Sequence, residues 1–422
     1  MLELIMKDIL GTPAILVGLF ALVGLLLQRK ATADIVSGSL KTVMGFVIIG
    51  AGAGVLIGSL DIFSQMFNYA FNVQGVIPNN EAIVAAAQSK FGTSTALIMV
   101  FGMIVNILLA RFTPFKYIFL TGHHTLFMAC LIAVTLSVGG LQGAPLVIIG
   151  SIILGLCMVL FPAMLQPFVR QITGSDDFAI GHFGTIGYFL SAAIGKYFGN
   201  KEKLTEEIKV PKSLGFLRDT SVAVSLTMVL FFVIVALFTG QDYIESQLSA
   251  GSNYIVFSLM QAITFAAGVF IILAGVRMLI AEIVPAFKGI AEKVAPNTKP
   301  ALDAPTIFPF APNAVIIGFL VSFAAGLISM FLLPVVGLKV IVPGLVPHFF
   351  TGATAGVFGN ATGGRRGAML GSFANGILIS FLPAILLAFL GEIGFEGTTF
   401  GDSDFGIIGI LILSILKLFG GA

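Results

Sequence analysis

Apolar residues fall along this chain in continuous runs separated by short polar turns, each run close to the roughly 20 residues that a helix needs to cross a hydrocarbon core. The runs predict helices near 12–28, 42–60, 96–110, 118–137, 146–168, 219–239, 253–276, 313–335, 341–360, 368–390 and 404–420. That makes about eleven spans. A transmembrane β-barrel would instead alternate apolar and polar residues in strands of about ten. The expected fold class is therefore an all-α polytopic membrane protein. Spans 42–60 and 341–360 are rich in glycine or interrupted by proline, so they are expected to be broken or tightly packed. Two apolar pieces, 178–195 and 301–311, are too short to cross alone and read as re-entrant hairpins or interfacial helices.

Composition agrees with that pattern. The chain of 422 residues is 57% hydrophobic and 10% charged, against roughly 45–50% and about 25% in soluble domains. No soluble core could hide so much apolar surface. A net charge of +2 gives no reason to expect a nucleic-acid partner. Cys130 and Cys157 lie inside apolar runs without CxxC or Cys/His spacing, so they read as buried small hydrophobes. No Walker loop is present, and no cofactor motif, metal-ligand spacing or catalytic constellation stands out. The first apolar run, Ala14–Leu27, is followed by Gln28, Arg29 and Lys30 rather than by a small-residue cleavage site, so no cleaved signal peptide is expected. With the N-terminus outside, 18 of the 22 Lys and Arg residues fall in inside loops. The positive-inside rule thus predicts an N-out topology with the 170–218 and 277–311 stretches cytoplasmic.

An internal repeat organises the runs. FVIIGAGAGVLI at 46–57 matches VFIILAGVRMLI at 269–280, an offset of 223. At nearly the same offset, Pro78-Asn79-Asn80-Glu81-Ala82 lies opposite Ala301-Leu302-Asp303-Ala304-Pro305, and Thr121-Gly122-His123 opposite Pro343-Gly344-Leu345. Asp177-Phe178 recurs as Asp404-Phe405. Each match is weak alone; the steady offset carries the argument. The expected halves are residues 1–212 and 213–422. In the topology set by charge, 42–60 runs outward and 253–276 inward, so the repeats are inverted. Inverted repeats with discontinuous helices are a transporter arrangement, with substrate held near the midplane where the repeats meet.

Titratable groups inside a membrane are costly and persist where they face a cavity or a partner. His123 and His124 sit in LTGHHTLFMA, His182 in AIGHFGTIG, Asp303 in ALDAPTIFPFAPNAV, Glu81 in GVIPNNEAIVAAA and His348 in PGLVPHFFTG. Adjacent helical residues point about 100° apart, so one of the His123–His124 pair is expected to face a site. Each position also has a structural reading. The histidines can be packing or capping groups, Asp303 a helix cap or a partner for Lys299, and Glu81 a first-turn acid behind an Asn79 or Asn80 cap. A mixture of imidazoles and carboxylates suits a hydroxylated, sugar-like small molecule.

These segments also carry a resemblance. LTGHHTLFMACLIAVTL (120–136), FAIGHF (178–183), AGVRMLIAE (274–282), AFKGI (286–290), FAPNAV (310–315) and PGLVPHFFTGATAGVFGNATGGRRGA (343–368) are similar, in order, to the ascorbate-type enzyme IIC permease of the bacterial phosphotransferase system. The resemblance covers nearly the whole chain. It implies an inner-membrane homodimer in lipid, whose protomers combine a mobile core domain with a scaffold (V-motif) domain, each assembled from both halves. It implies elevator-type uptake of L-ascorbate or a related sugar-like molecule. It further implies that a separate soluble IIB protein carries the phosphoryl transfer, so this chain would be the transport subunit, with no cofactor of its own. The family's substrate positions match Gly52, His123, His182, Asp303 and Gly344. At the other substrate positions the chain departs from the family: Ala53 stands for a serine, Asn80-Glu81 for a Thr-Tyr pair, and Phe127 and Phe183 for glutamines. The alternative function is an ion-coupled secondary transporter of a sugar-like molecule without phosphorylation, with Asp303, Glu81 or a histidine as the coupling group.

Overall fold

The computed structural model describes residues 12–72, 75–208, 220–390 and 398–418. The protein is a mostly helical, polytopic membrane protein. Among the described residues, five helical stretches are long and apolar enough to cross a membrane: Thr32–Gly52, Lys90–Phe112, Gly143–Thr173, Pro312–Leu332 and His348–Leu390. A sixth is formed if Met228–Thr239 and Gln241–Leu248, bent by 102° at Gly240, make one broken span. Gly122–Val138 and Tyr254–Gly268 are shorter apolar helices.

The chain divides into two compact units, and each is assembled from segments far apart in the sequence. The first comprises Met1–Leu40, Val76–Ile208 and Glu282–Ala422; the second comprises Lys41–Gly75 and Lys209–Ala281. Helices α1 (Pro13–Leu27) and α2 (Thr32–Phe71) come first, and the unit boundary falls within α2. The predicted span 42–60 is therefore the middle of a 40-residue helix. In the second unit, α2 packs through aromatic rings onto α7 (Thr220–Thr239): Phe63 meets Phe232 edge-on at 5.1 Å and Phe71 lies 5.4 Å from Phe238. Tyr69 stacks at 3.8 Å on Tyr243 of the short α8 (Gln241–Tyr243). Ser59 Oγ donates to the Gln261 carbonyl of α9 (Tyr254–Lys293) at 2.6 Å.

The first unit departs from an all-α expectation. Among its described residues are five short strands: β1 (Ile77–Pro78), β2 (Tyr117–Phe119), β3 (Ala179–Ile180), β4 (Lys299–Leu302) and β5 (Thr398–Thr399). Segments of two to four residues are too short to print an alternating pattern on the sequence. β4 is the middle strand of one parallel sheet, flanked by β2 and β3, with Phe119 and Ala179 both in register with Ala301. β1 pairs in parallel with β5, and Val76 bridges Ile341 in the same sense. Each middle strand is thus inserted between two segments from the opposite end of the chain.

Every strand leads into a helix. β1 leads into α3 (Asn80–Phe112), β2 into α4 (Gly122–Val138) and β3 into α6 (Thr185–Phe198). β4 leads through a 3₁₀ turn, Ala304–Phe310, into α10 (Pro312–Leu332), and β5 leads into α13 (Ser403–Leu418). The predicted hairpins at 178–195 and 301–311 are these strand–helix units. α5 (Gly143–Thr173) ends at Gly174, whose φ of 68° suits a residue without Cβ. The predicted 341–360 span is helical only from Leu345, where α11 (Leu345–Pro347) runs through a π-helical turn, His348–Gly352, into α12 (Ala353–Leu390). α12 itself breaks at Gly363-Gly364. There Gly364 has φ 59°, and an added Cβ would lie 2.2 Å from the Asn200 carbonyl oxygen. Small residues let α6 lie close on α12, where a Cβ on Gly195 would stand 2.7 Å from the Gly359 carbonyl oxygen.

Candidate functional site

Parallel pairing sets the ends of β2, β3 and β4 side by side, and the residues that follow them converge. The pairing runs on past the strands, with Leu120 N–H donating to Ala301 O at 2.9 Å and Gly181 N–H to Leu302 O at 2.6 Å. His123 and His124 then open α4, His182 sits in the turn between β3 and α6, and Asp303 follows β4. His123 Nε2 lies 3.5 Å from Asp303 Oδ2, and His182 Nε2 lies 4.0 Å from Asp303 Oδ1. Asp303 also accepts from the Ala304 N–H at 2.7 Å and so caps the 3₁₀ turn. Its sequence neighbour Lys299 pairs with Asp176 instead.

Both histidines of the pair belong to this cluster, where the helical angle allowed only one. The His124 ring is buried and lies 3.8 Å from the His182 ring, centre to centre. The pair stands in the first turn of α4, and the β3–α6 turn reaches His124 from its own side. His124 Nδ1 accepts the Phe183 N–H at 3.3 Å. His182 Nδ1 accepts the Gly184 N–H at 3.1 Å and pairs with the Tyr188 hydroxyl at 2.8 Å.

The segment after β5 adds two more acids. Asp404 is fully buried and caps α6 from another helix: its carboxylate accepts the Thr185 and Ile186 N–H groups, each at 2.8 Å. Ser403 Oγ accepts the Gly187 N–H at 3.2 Å. A carboxylate satisfies orphan donors at a helix start and complements its dipole. Asp402 is 3% exposed, and its Oδ2 accepts from Asn80 Nδ2 at 2.8 Å. Asn80 Oδ1 in turn accepts the Gly401 N–H at 2.9 Å, so the Asn80 side chain joins the β5–α13 segment rather than capping its own helix.

The other predicted positions are distributed as follows. Phe127 is buried beside the imidazoles, its ring 5.8 Å from His123 and 5.9 Å from His124. The Phe183 ring is fully buried in an aromatic group, stacked at 4.8 Å on Phe119 and edge-on to Phe161 and Phe405. That ring lies 6.0 Å from the His124 ring, and the Phe183 backbone N–H makes the hydrogen bond to that histidine. Gly344 is buried, and a Cβ there would lie 2.8 Å from the Pro78 carbonyl oxygen. Gly52 is buried within α2 in the second unit, with Ala53 next to it. The side chains of Ala53 and Glu81 are outside those described. His348 is buried against α10, its Nδ1 2.8 Å from Ser322 Oγ, which is the packing role. Asp402, Asp404 and Tyr188 do not stand out in the sequence as site residues. For Asp404 a signal existed, because Asp404-Phe405 matches Asp177-Phe178 in the repeat.

By distance alone, two overlapping groups could hold a metal ion: His123, His124 and Asp303, and His124, His182 and Asp402, with ligand atoms in each group within 4.8 Å of one another. The backbone argues against it at His124 and His182. Each Nδ1 accepts a backbone N–H, so a neutral ring carries its proton on Nε2 and offers a donor there rather than a lone pair. The arrangement suits recognition of a hydroxylated molecule by N–H donors and carboxylate acceptors.

At the other end of β4, ion pairs fix the segments that carry the cluster. Asp176 accepts from Arg170 Nε at 2.7 Å and from Gln166 Nε2 at 2.6 Å, and it pairs with Lys299. Desolvation pushes its carboxyl up, but these partners outweigh it and hold the group well below the usual carboxylate range. Asp176 precedes β3 and Lys299 opens β4, so this contact sits at the base of the strands that lead to His182 and Asp303.

Residues 8–404 match the family described as the sugar-specific permease component of the PTS system, EIIC-GAT. A Mycoplasma pneumoniae protein described as the ascorbate-specific PTS system EIIC component is 30% identical over 374 residues. The matched region is 78% of this chain and 56% of that relative, so the chain spans little more than half the length of the relative it matches.

Proposed function

Since the chain belongs to the EIIC-GAT family of sugar-specific permease components of the phosphotransferase system, we propose that it carries L-ascorbate or a related sugar-like molecule across the inner membrane. His123, His182 and Asp303 would hold the substrate. The observation that carries this reading is their convergence, from three separate segments, at the end of one parallel sheet. The imidazole N–H groups would donate to substrate oxygens and Asp303 would accept from its hydroxyls. Phe127 would supply an apolar face beside them. Ascorbate as the substrate is supported by the description of the Mycoplasma pneumoniae relative.

The remaining parts of the proposal follow from the same premise. A soluble IIB protein would phosphorylate the substrate at the cytoplasmic face. About eleven spans would form inverted repeats, residues 1–212 and 213–422. The sheet pattern supports this, since β1 and β4, some 222 residues apart, each stand between two segments of the opposite repeat. The two compact units would be the scaffold and the moving core of an elevator in a homodimer, with Gly52, Ala53, Asn80, Glu81, Phe183 and Gly344 as further substrate positions. Reconstitution with the soluble phosphotransferase proteins tests the function. Ascorbate should appear inside vesicles as its phosphate, only when IIB is present. Entry of unmodified substrate, abolished by a protonophore, would replace this reading with ion-coupled transport through the buried carboxylates.

A further inference from the structure

Tyr188 is outside the positions that the family pattern marks, yet its hydroxyl reaches one of them. The side chain is fully buried in the first turn of α6, its ring stacked at 5.6 Å on Phe358 of α12. From there the hydroxyl folds back over the turn that carries His182 and lies 2.8 Å from His182 Nδ1. The residue between them has to be small, since a Cβ on Gly184 would stand 2.5 Å from the Tyr188 oxygen.

A second contact decides which way that hydrogen bond runs. The Gly184 N–H can only donate, and it meets the same Nδ1 at 3.1 Å. That nitrogen therefore carries no proton, and the neutral ring keeps its proton on Nε2. The Tyr188 hydroxyl must then donate to Nδ1 as well. Thr354 also bonds this hydroxyl. Were the Tyr188 proton given to Thr354, two lone pairs would face each other across 2.8 Å, so Thr354 is left the donor's part. Turning the ring over would set a C–H against both donors, so its orientation is fixed along with its tautomer. Nε2–H is thereby turned toward Asp303, whose Oδ1 is 4.0 Å away, a separation at which the two do not bond each other directly. His123, at 3.5 Å from the other Asp303 oxygen, His124 and Asp402 are the further titratable groups around it.

We propose that Tyr188 is a positioning residue for substrate binding: its hydroxyl holds His182 in the tautomer and orientation that offer an N–H donor to a ligand oxygen. The proposal rests on the reading that His182 holds the substrate.

Nitrogen NMR of the histidine-labelled full chain and titration with L-ascorbate test this together. His182→Ala identifies the His182 resonances by their absence. Tyr188→Phe keeps the stacked ring and removes only the hydroxyl. In that variant the His182 Nδ1 resonance should move, because an acceptor nitrogen senses the loss of a donor, and ascorbate should bind roughly threefold to tenfold more weakly. In the His182→Ala background the same substitution should change affinity less than about twofold, since its effect runs through the imidazole. A purely structural role would weaken binding equally in both backgrounds, and that additivity would overturn the proposal. An unmoved Nδ1 resonance would overturn it too. So would wild-type affinity in Tyr188→Phe beside weakened binding in His182→Ala, a result that leaves the substrate site in place. Failure of Tyr188→Phe to fold would assign the hydroxyl to the fold and also overturn it. If His182→Ala binds ascorbate as wild type does, or if neither binds it, the substrate reading fails, and this proposal fails with it.

Discussion

His182 is held on its Nδ1 side by the Gly184 N–H and the Tyr188 hydroxyl and faces Asp303 with its other nitrogen, so removing the ring deletes one aimed donor. His123→Ala and Asp303→Ala delete the opposing partners of the same cluster. A lost hydrogen bond in such a setting is worth about 0.5–1.5 kcal/mol, and more if a partner is left unpaired. Each variant should therefore bind substrate roughly threefold to more than tenfold more weakly, read by titration of the folded protein. Wild-type affinity in all three would return these residues to a structural role. Their visibility in the sequence has a physical origin: a titratable group amid apolar residues is conspicuous. Asp402 had no such contrast, because GDSDF reads as an ordinary polar turn, and its burial arises only when β5 pairs with β1 and Asn80 reaches it. Phe183 was visible as a change from glutamine, yet its ring turned into the aromatic core and its backbone N–H reaches His124.

At the scale of elements, long helices were legible because their apolar runs are continuous, whereas the strands were not. GVIPNN, KYIFLTG and TKPALDAP contain proline or glycine and extend for only a few residues, so neither helical nor alternating periodicity marks them. Their pairing partners are also distant in sequence, as with Lys299 opposite Tyr117. Yet these strands are what bring the histidines together. Helix starts cluster at the strand ends, and acids settle there because they satisfy orphan N–H groups. Asp404 does this for α6 from α13, and through α6 it fixes the turn that bears His182. Asp404→Ala should cost about 1–3 kcal/mol by leaving two buried donors without their acceptor. The expected readings are a lower thermal unfolding midpoint and faster hydrogen exchange at the Thr185 and Ile186 amides, with Asp404→Asn between wild type and alanine. Unaltered exchange at both amides in Asp404→Ala would show that the cap contributes nothing.

The whole molecule turns on where each loop lies, and charge and helix length give independent arguments for the same arrangement. Basic residues concentrate in alternate loops, 18 of 22 on the side predicted to be cytoplasmic. The helices between those loops have the length to change sides. α5 runs 31 residues from the loop at Gly140 toward Lys203, and at 1.5 Å per residue it exceeds a core of about 30 Å. Between them, β3 and α6 would return without crossing, since the 14 residues of α6 are too few to span the core. α7, with 20 residues, and α9, with 40, are each long enough to cross such a core. A reporter active only in the cytoplasm should then be active when fused near Lys203 or Lys293, and silent near Gly140 or Asp242. Inversion of one site alone would mean that a single helix lies in the membrane plane or turns back. Inversion of all four would reverse the orientation of the protein, place the basic loops outside, and remove the cytoplasmic face at which the proposed IIB protein would meet the substrate.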